Sequence, residues 1–212
     1  MRKSLASFTL LVVAALAYGC ADPAADKPKA STGTATTVSE SPKPAGTESL
    51  NITPENSKVD FVASKVTRSH TGSFKQFTGK VELAPNSIPD SRVSIDIDTA
   101  SVETDTAGLT DHLKKPDFFD VAKFPKATFV STKIEPVNGN TFNVTGNLDL
   151  HGVTKSITFP ANIVAAADSV TVDADFAINR KDFGIVYTGK ADDLVRDNVV
   201  LKLTLKVQRG KP

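Results

Sequence analysis

Apolar and polar residues alternate with a period of two through most of the chain beyond residue 50. No other feature limits the possible folds as strongly. Val93, Ile95 and Ile97 alternate with Ser94, Asp96 and Asp98. Phe142, Val144, Gly146, Leu148 and Leu150 share one face of a second segment, and Ile157, Phe159, Ala161, Ile163 and Ala165 one face of a third. Val170, Val172, Ala174, Phe176 and Ile178 make a fourth. Val199, Leu201, Leu203, Leu205 and Val207 make a fifth, with Lys202, Thr204 and Lys206 on its other side. Successive side chains of a strand project to opposite faces, so each segment reads as a strand with one dry and one wet face. Residues 59–66, 74–83 and 127–134 are weaker candidates. Strands of this kind pair antiparallel, and turn residues punctuate them at Asn138-Gly139, His151-Gly152 and Ala167-Asp168-Ser169. The expected fold is all-β: about eight strands, which can close into a barrel wide enough for side chains or one small ligand. A two-sheet sandwich fits the pattern nearly as well.

The rhythm breaks at residues 106–126. Leu109 and Leu113 stand four apart, which predicts a helix of about two turns that Pro116 cannot continue. Asp117-Phe118-Phe119-Asp120 and Val121-Ala122-Lys123-Phe124-Pro125 follow. Three phenylalanines in a connection read either as a lid or plug on one end of a barrel, or as a cap on its core.

The N-terminus carries an address. Met1, Arg2 and Lys3 precede an apolar run from Leu10 to Ala17, and Ala17-Tyr18-Gly19 leads to Cys20. Residues 1–19 read as a signal peptide, with an apolar run shorter than the ~20 residues that span a bilayer. Cys20 at the first mature position resembles the lipobox of bacterial lipoproteins, which implies lipidation and a membrane anchor. The alternative is a secretory signal with an incidental cysteine. Either reading exports the protein. Ala21 stands where inner-membrane retention would place Asp, so resemblance to Gram-negative sorting implies a periplasmic or outer-membrane lipoprotein. Residues 20–50 hold Ala, Thr, Ser, Pro, Lys and Glu without aromatics and are expected to form a disordered tether. A single domain is expected over residues 51–210.

Cys20 is the one cysteine, so the domain has no disulfide, thiolate metal site or thiol nucleophile. A formal net charge of +1 with no basic tract argues against a nucleic-acid partner. Twelve phenylalanines and no tryptophan supply apolar rings without polar handles, suited to a dry interior. No Gly-x-Ser-x-Gly elbow or phosphate loop is present. Asp182-Phe183-Gly184 stands without other kinase elements. His112, near Asp111, Asp117 and Asp120, is a conceivable acid/base group or metal ligand, although capping is the commoner role. Asn179-Arg180-Lys181-Asp182 reads as an Arg–Asp pair fixing a strand end, or Arg180 and Lys181 as an anion site.

Several stretches carry a resemblance. They include Val59-Asp60-Phe61, Gly72-Ser73-Phe74-Lys75-Gln76-Phe77-Thr78-Gly79, and His112-Leu113-Lys114-Lys115-Pro116-Asp117-Phe118-Phe119-Asp120, with Phe124-Pro125-Lys126-Ala127-Thr128-Phe129 just beyond. Leu150-His151-Gly152-Val153-Thr154-Lys155 and Ile178-Asn179-Arg180-Lys181-Asp182-Phe183-Gly184 follow in order. Together they resemble the YceI-like family of bacterial secreted lipid-binding proteins. The resemblance implies a lipocalin-like antiparallel barrel with a helix-bearing connection. It also implies non-enzymatic binding or carriage of a long-chain isoprenoid lipid, such as a quinone or prenyl lipid, in the lumen, within the cell envelope. No cofactor beyond such a lipid is implied. The expected lumen or lid residues are Phe61, His112, Leu113, Phe118, Phe119, Phe124, Phe142, Phe159, Phe176 and Phe183. One alternative is an interaction module with a filled core and an exposed apolar patch that docks a membrane partner. Another is a lipid-modifying enzyme with His112 inside the cavity.

Overall fold

The computed structural model describes residues 21–37 and 43–210; residues 1–19, expected as a signal peptide, and Cys20 lie outside the described residues. The chain forms β1 (Ser31–Thr34), β2 (Glu48–Ile52), β3 (Ser57–Ser64), β4 (Ser69–Phe74), β5 (Phe77–Leu83), β6 (Arg92–Asp98) and β7 (Val102–Thr104). Helix α1 (Ala107–Leu113) follows, then β8 (Lys126–Asn138), β9 (Thr141–Leu150), β10 (Val153–Ala165) and β11 (Ser169–Asn179). The last strands are β12 (Gly189–Lys190), β13 (Asp193–Leu194) and β14 (Asn198–Gln208).

A single twelve-stranded sheet runs β2-β5-β6-β8-β9-β10-β11-β14-β3-β4-β7, with β1 added beside β10; β12 and β13 form a separate hairpin. The sheet curls into a half-barrel, with its apolar faces inward. Phe142, Val144 and Leu148 of β9 and Ile157, Phe159, Ala161 and Ile163 of β10 are all buried. Glu48 at the start of β2 accepts from Arg209 Nε at 2.8 Å and Gly210 N at 2.9 Å, which ties the β2 edge to the end of β14. The expected antiparallel barrel class holds, and the sandwich does not.

The sheet has more strands than the alternation suggests. Residues 74–83 are two strands, because Lys75 and Gln76 turn away to bond Ser101. That bend lets β4 pair with β3 and β7 while β5 pairs with β2 and β6. Strands β1, β2 and β7 are too short to show a period. The β9–β10 turn is the tight hairpin its sequence implies: His151 (φ 55°) and Gly152 (φ 73°) both take the left-handed backbone that a two-residue I′ loop needs.

The disordered tether requires correction for residues 21–37. Ala24 is buried against Ala177 and Val200. Pro28 O and Ala30 N both bond the backbone of Ala177 at 2.8 Å, and β1 pairs antiparallel with residues 155–158 of β10. Composition misses this docking because main-chain hydrogen bonds and charge pairs hold the segment, and no apolar face is needed for either.

At the β4–β7 edge, Asp105 Oδ1 shares a 2.7 Å hydrogen bond with His70 Nδ1, and Oδ2 accepts from Thr71 N at 3.0 Å. These bonds, His70 first, hold the Asp105 carboxyl below its ordinary range of about 3.9. As pH falls, the unfolded chain protonates this carboxyl before the folded chain does. Its contribution to stability is therefore complete above about pH 5 and is lost as pH drops through the folded-state value. Urea midpoints between pH 5 and pH 3 should fall less in Asp105→Asn than in the parent; equal slopes would show that this edge carries no acid sensitivity.

Candidate functional site: an apolar lumen in two chambers

The inward faces enclose an apolar cavity of about 150 Å³, walled by β3, β4, β6, β8, β9, β10, β11 and β14 and by the α1 connection. A second apolar chamber of about 60 Å³ lies toward Val81, Ile88, Ile163 and Val170. Ile95, Phe129, Phe159 and Leu203 line both chambers and form the partition between them. Phe159 stacks on Phe176 with centroids 4.0 Å apart and planes 7° apart, and Phe129 stands 5.7 Å from Phe159.

Glycines set where two of these rings can lie. Gly72 pairs with Phe61 across β3 and β4, and a Cβ there would stand 2.2 Å from Phe61 Cζ. A Cβ at Gly146 would stand 2.4 Å from Phe129 Cζ. Each ring occupies the space its glycine leaves, which keeps it close to the wall. An apolar cavity of about 150 Å³ stays dry and admits something the size of benzene.

Leu113, Phe118 and Phe119 close one end of the larger chamber, with Phe119 edge-on to Phe74 at 5.6 Å. The α1 connection meets residues 185–197 through three rings. His112 lies 5.0 Å from Phe118 and 5.2 Å from Tyr187, and Phe118 lies 5.2 Å from Tyr187. Ile185 and Val195, on either side of the β12–β13 hairpin, complete this end of the wall.

Arg180 is the charged residue on the larger chamber's wall, and it is only 4 % exposed. Its guanidinium donates to Ile185 O (2.6 Å), Arg196 O (3.0 Å) and Val195 O (3.3 Å). Asp197 Oδ1 lies further off at 3.4 Å and is shared with Lys181 at 2.9 Å. Burial draws the Arg180 pKa down, and Asp197 draws it partly back. A guanidinium stays charged in proteins, so Arg180 acts as a fixed cation clamping the chain around residues 185–197. The pair expected within residues 179–182 is not what forms: Asp182 accepts from Thr32, the acidic neighbour of Arg180 is Asp197, and three main-chain carbonyls hold the guanidinium at shorter or similar range.

Of the expected lumen or lid residues, Phe61, Leu113, Phe118, Phe119, Phe159 and Phe176 lie on the wall of the larger chamber. The other four expected residues do not line it. His112 is partly exposed, with Nε2 3.0 Å from Asp117 Oδ2. That position removes the geometry required of an enzyme with His112 inside the cavity. Phe124 packs on the β9–β10 turn, 4.7 Å from the His151 ring and against Gly152. Phe142 is buried but borders neither chamber, and Phe183 is fully buried at 0 % exposure. These rings sit at turns or strand ends, which a face-by-face reading does not distinguish from mid-lumen positions. Sequence reasoning missed Phe74 and Phe129, and named Arg180 without placing it on the lumen wall. Phe129 lies in the weakly alternating run 127–134, and its approach to Gly146 comes from the packing of β8 on β9.

An antiparallel half-barrel around an apolar lumen defines the class: a β-barrel protein built on an apolar cavity. The YceI-like domain model matches residues 50–207, and the chain belongs to that family. A UPF0312 protein of Pseudomonas putida (strain W619) and Protein YceI of Salmonella arizonae are each 37 % identical over 120 residues. Each alignment covers 54 % of this chain and 62 % of the relative, less than two thirds of its length. Among solved structures, Burkholderia cenocepacia BcnA is 30 % identical with TM-score 0.66, over 73 % of this chain and 98 % of its own. A polyisoprenoid binding domain from Saccharophagus degradans, implicated in plant cell wall breakdown, has TM-score 0.63 over 77 % and 99 %. At 19 % identity it is a likeness of fold.

Proposed function

We propose that this protein is a non-enzymatic carrier of a long apolar chain of the isoprenoid type, a quinone tail or prenyl lipid, in the bacterial cell envelope. The observation that carries this reading is the lumen itself. Two apolar chambers meet at a partition of side chains, and Arg180, the one charged residue on the larger wall among the described residues, is already engaged with carbonyls. Such a wall rewards apolar burial at roughly 25 cal/mol per Å². A polyisoprenoid binding domain shares the fold. The signal-peptide pattern and Cys20 support export and a lipid anchor. A docking module with a filled core is disfavoured by the chambers.

Native mass spectrometry of the exported chain, followed by organic extraction, tests the reading. A bound mass released as a prenyl lipid is the expected result. A prenyl alcohol supplied at 100 times its Kd should also raise unfolding free energy by about 2.7 kcal/mol. A chain that purifies empty and gains no stability from prenyl alcohols or quinones would overturn the proposal.

A further inference from the structure

The barrel wall is not continuous between β10 and β11. Their ladder holds only from Ala165↔Val170 to Asn162↔Asp173. The same register would next set Pro160 opposite Asp175 and Thr158 opposite Ala177. Pro160 has no N–H to give, and beyond Asn162↔Asp173 the main-chain ladder stops, although the Phe159 and Phe176 rings still stack across the two strands. The N-terminal segment fills the gap. Ala177 turns both its N–H and its C=O to residues 28–30, with two hydrogen bonds of 2.8 Å. Lys29 bridges Ala177 in parallel, and one step on, β1 pairs with residues 155–158 of β10. At this end of the sheet, a strap of residues 24–36 stands between β10 and β11.

The strap is lightly held. All of β1 is exposed, and Ala24 is the strap's one buried apolar residue. Ala30, partly buried, packs against the core cluster of β9–β11, and the side-chain ties are polar: Lys27 to Asp175, Thr32 to Asp182 at 3.2 Å, and Thr36 to Asn147 at 3.0 and 2.6 Å. Segments with few buried apolar contacts open at much lower free energy than the global fold. Ile157 and Phe159 of β10 and Phe176 and Ile178 of β11 flank this part of the wall, and all four line the larger chamber. The strap also begins just beyond Cys20, the residue the sequence marks for lipidation.

The geometry points to a lateral portal. The strap is a displaceable strand, and its release opens the β10–β11 gap so that an apolar chain passes into the lumen sideways. This rests on the lumen being the binding site and adds the route. The portal suits a flexible, unbranched or methyl-branched chain, since it opens along the strand direction beside stacked rings rather than at the plugged end.

A reversible staple tests it. Gly33 and Ser156 are direct cross-strand partners, a spacing compatible with a disulfide. A Cβ at Gly33 meets nothing within 4 Å, and neither residue lines a chamber. The full chain carrying Cys20→Ser, Gly33→Cys and Ser156→Cys has no other thiol. Binding of dansyl-labelled farnesol is followed by stopped-flow fluorescence before and after reduction. A second variant, Ala24→Asp, puts a charge at a site 1 % exposed and loosens the strap. The oxidised staple should bind at least about tenfold more slowly than the same protein reduced, and Ala24→Asp about tenfold faster than the parent. Equilibrium affinity should stay within about twofold across the stapled pair. Equal rates in all forms with intact affinity would overturn the portal and leave the lumen as the binding site. No binding by any form, parent included, would overturn the lumen reading and the portal with it.

Discussion

Arg180→Met is expected to lower unfolding free energy by about 3–5 kcal/mol, because several acceptors lose a charged donor at once. Three carbonyls, those of Ile185, Val195 and Arg196, lose their donor together, and a buried acceptor left alone costs about 1–3 kcal/mol. With a urea m-value of about 2 kcal/mol/M, the unfolding midpoint falls by about 2 M. Arg180→Lys recovers little, because one ammonium on a flexible stem cannot span three carbonyls as a planar guanidinium does. The functional consequence follows from position. Residues 185–197 form part of the lumen end, and Tyr187 closes the ring cluster with His112 and Phe118. Loosening the clamp should therefore also speed ligand loss from that end. A loss of stability below about 1 kcal/mol would mean that these carbonyls find other donors and that the clamp is not what holds the segment.

The second large effect belongs to the partition. Phe159→Ala should cost about 3–5 kcal/mol, the range for emptying a buried aromatic position. Phe159 is 4 % exposed, stacks on Phe176 and lines both chambers. Its loss merges the chambers into one longer lumen. Unlike an ordinary core deletion, this one should be repaired by ligand. A long prenyl chain occupies the vacated space, so it should stabilise the variant more than it stabilises the parent. Denaturant unfolding with and without a prenyl alcohol reads both quantities. If the variant is destabilised and the lipid restores nothing beyond its effect on the parent, Phe159 is plain core and the chambers are packing defects.

The alternation of residues such as Val199, Leu201, Leu203 and Leu205 was enough to place long antiparallel strands with one dry face, because side-chain direction in a strand repeats every two residues whatever surrounds it. The α1 connection was legible too, from Leu109, Leu113 and the stop at Pro116. Membership of the lumen was legible only in part. Phe159 and Phe183 look alike in sequence, yet one lines both chambers and the other is sealed at a turn. Which of them meets empty space depends on how the sheet curls and where Gly72 and Gly146 leave room for a ring.

The docking of residues 24–36 was not legible at all. Its residues are small and polar, and nothing in them announces a partner. Local sequence determined which segments are strands and which faces are dry, since both follow from the period of the chain itself. Tertiary structure alone decided where the main-chain ladder between β10 and β11 stops. It thereby decided that an ordinary Ser-Thr-Gly-Thr segment would be drawn in, because backbone N–H and C=O groups left unpaired in a wall must find partners from whatever chain is near.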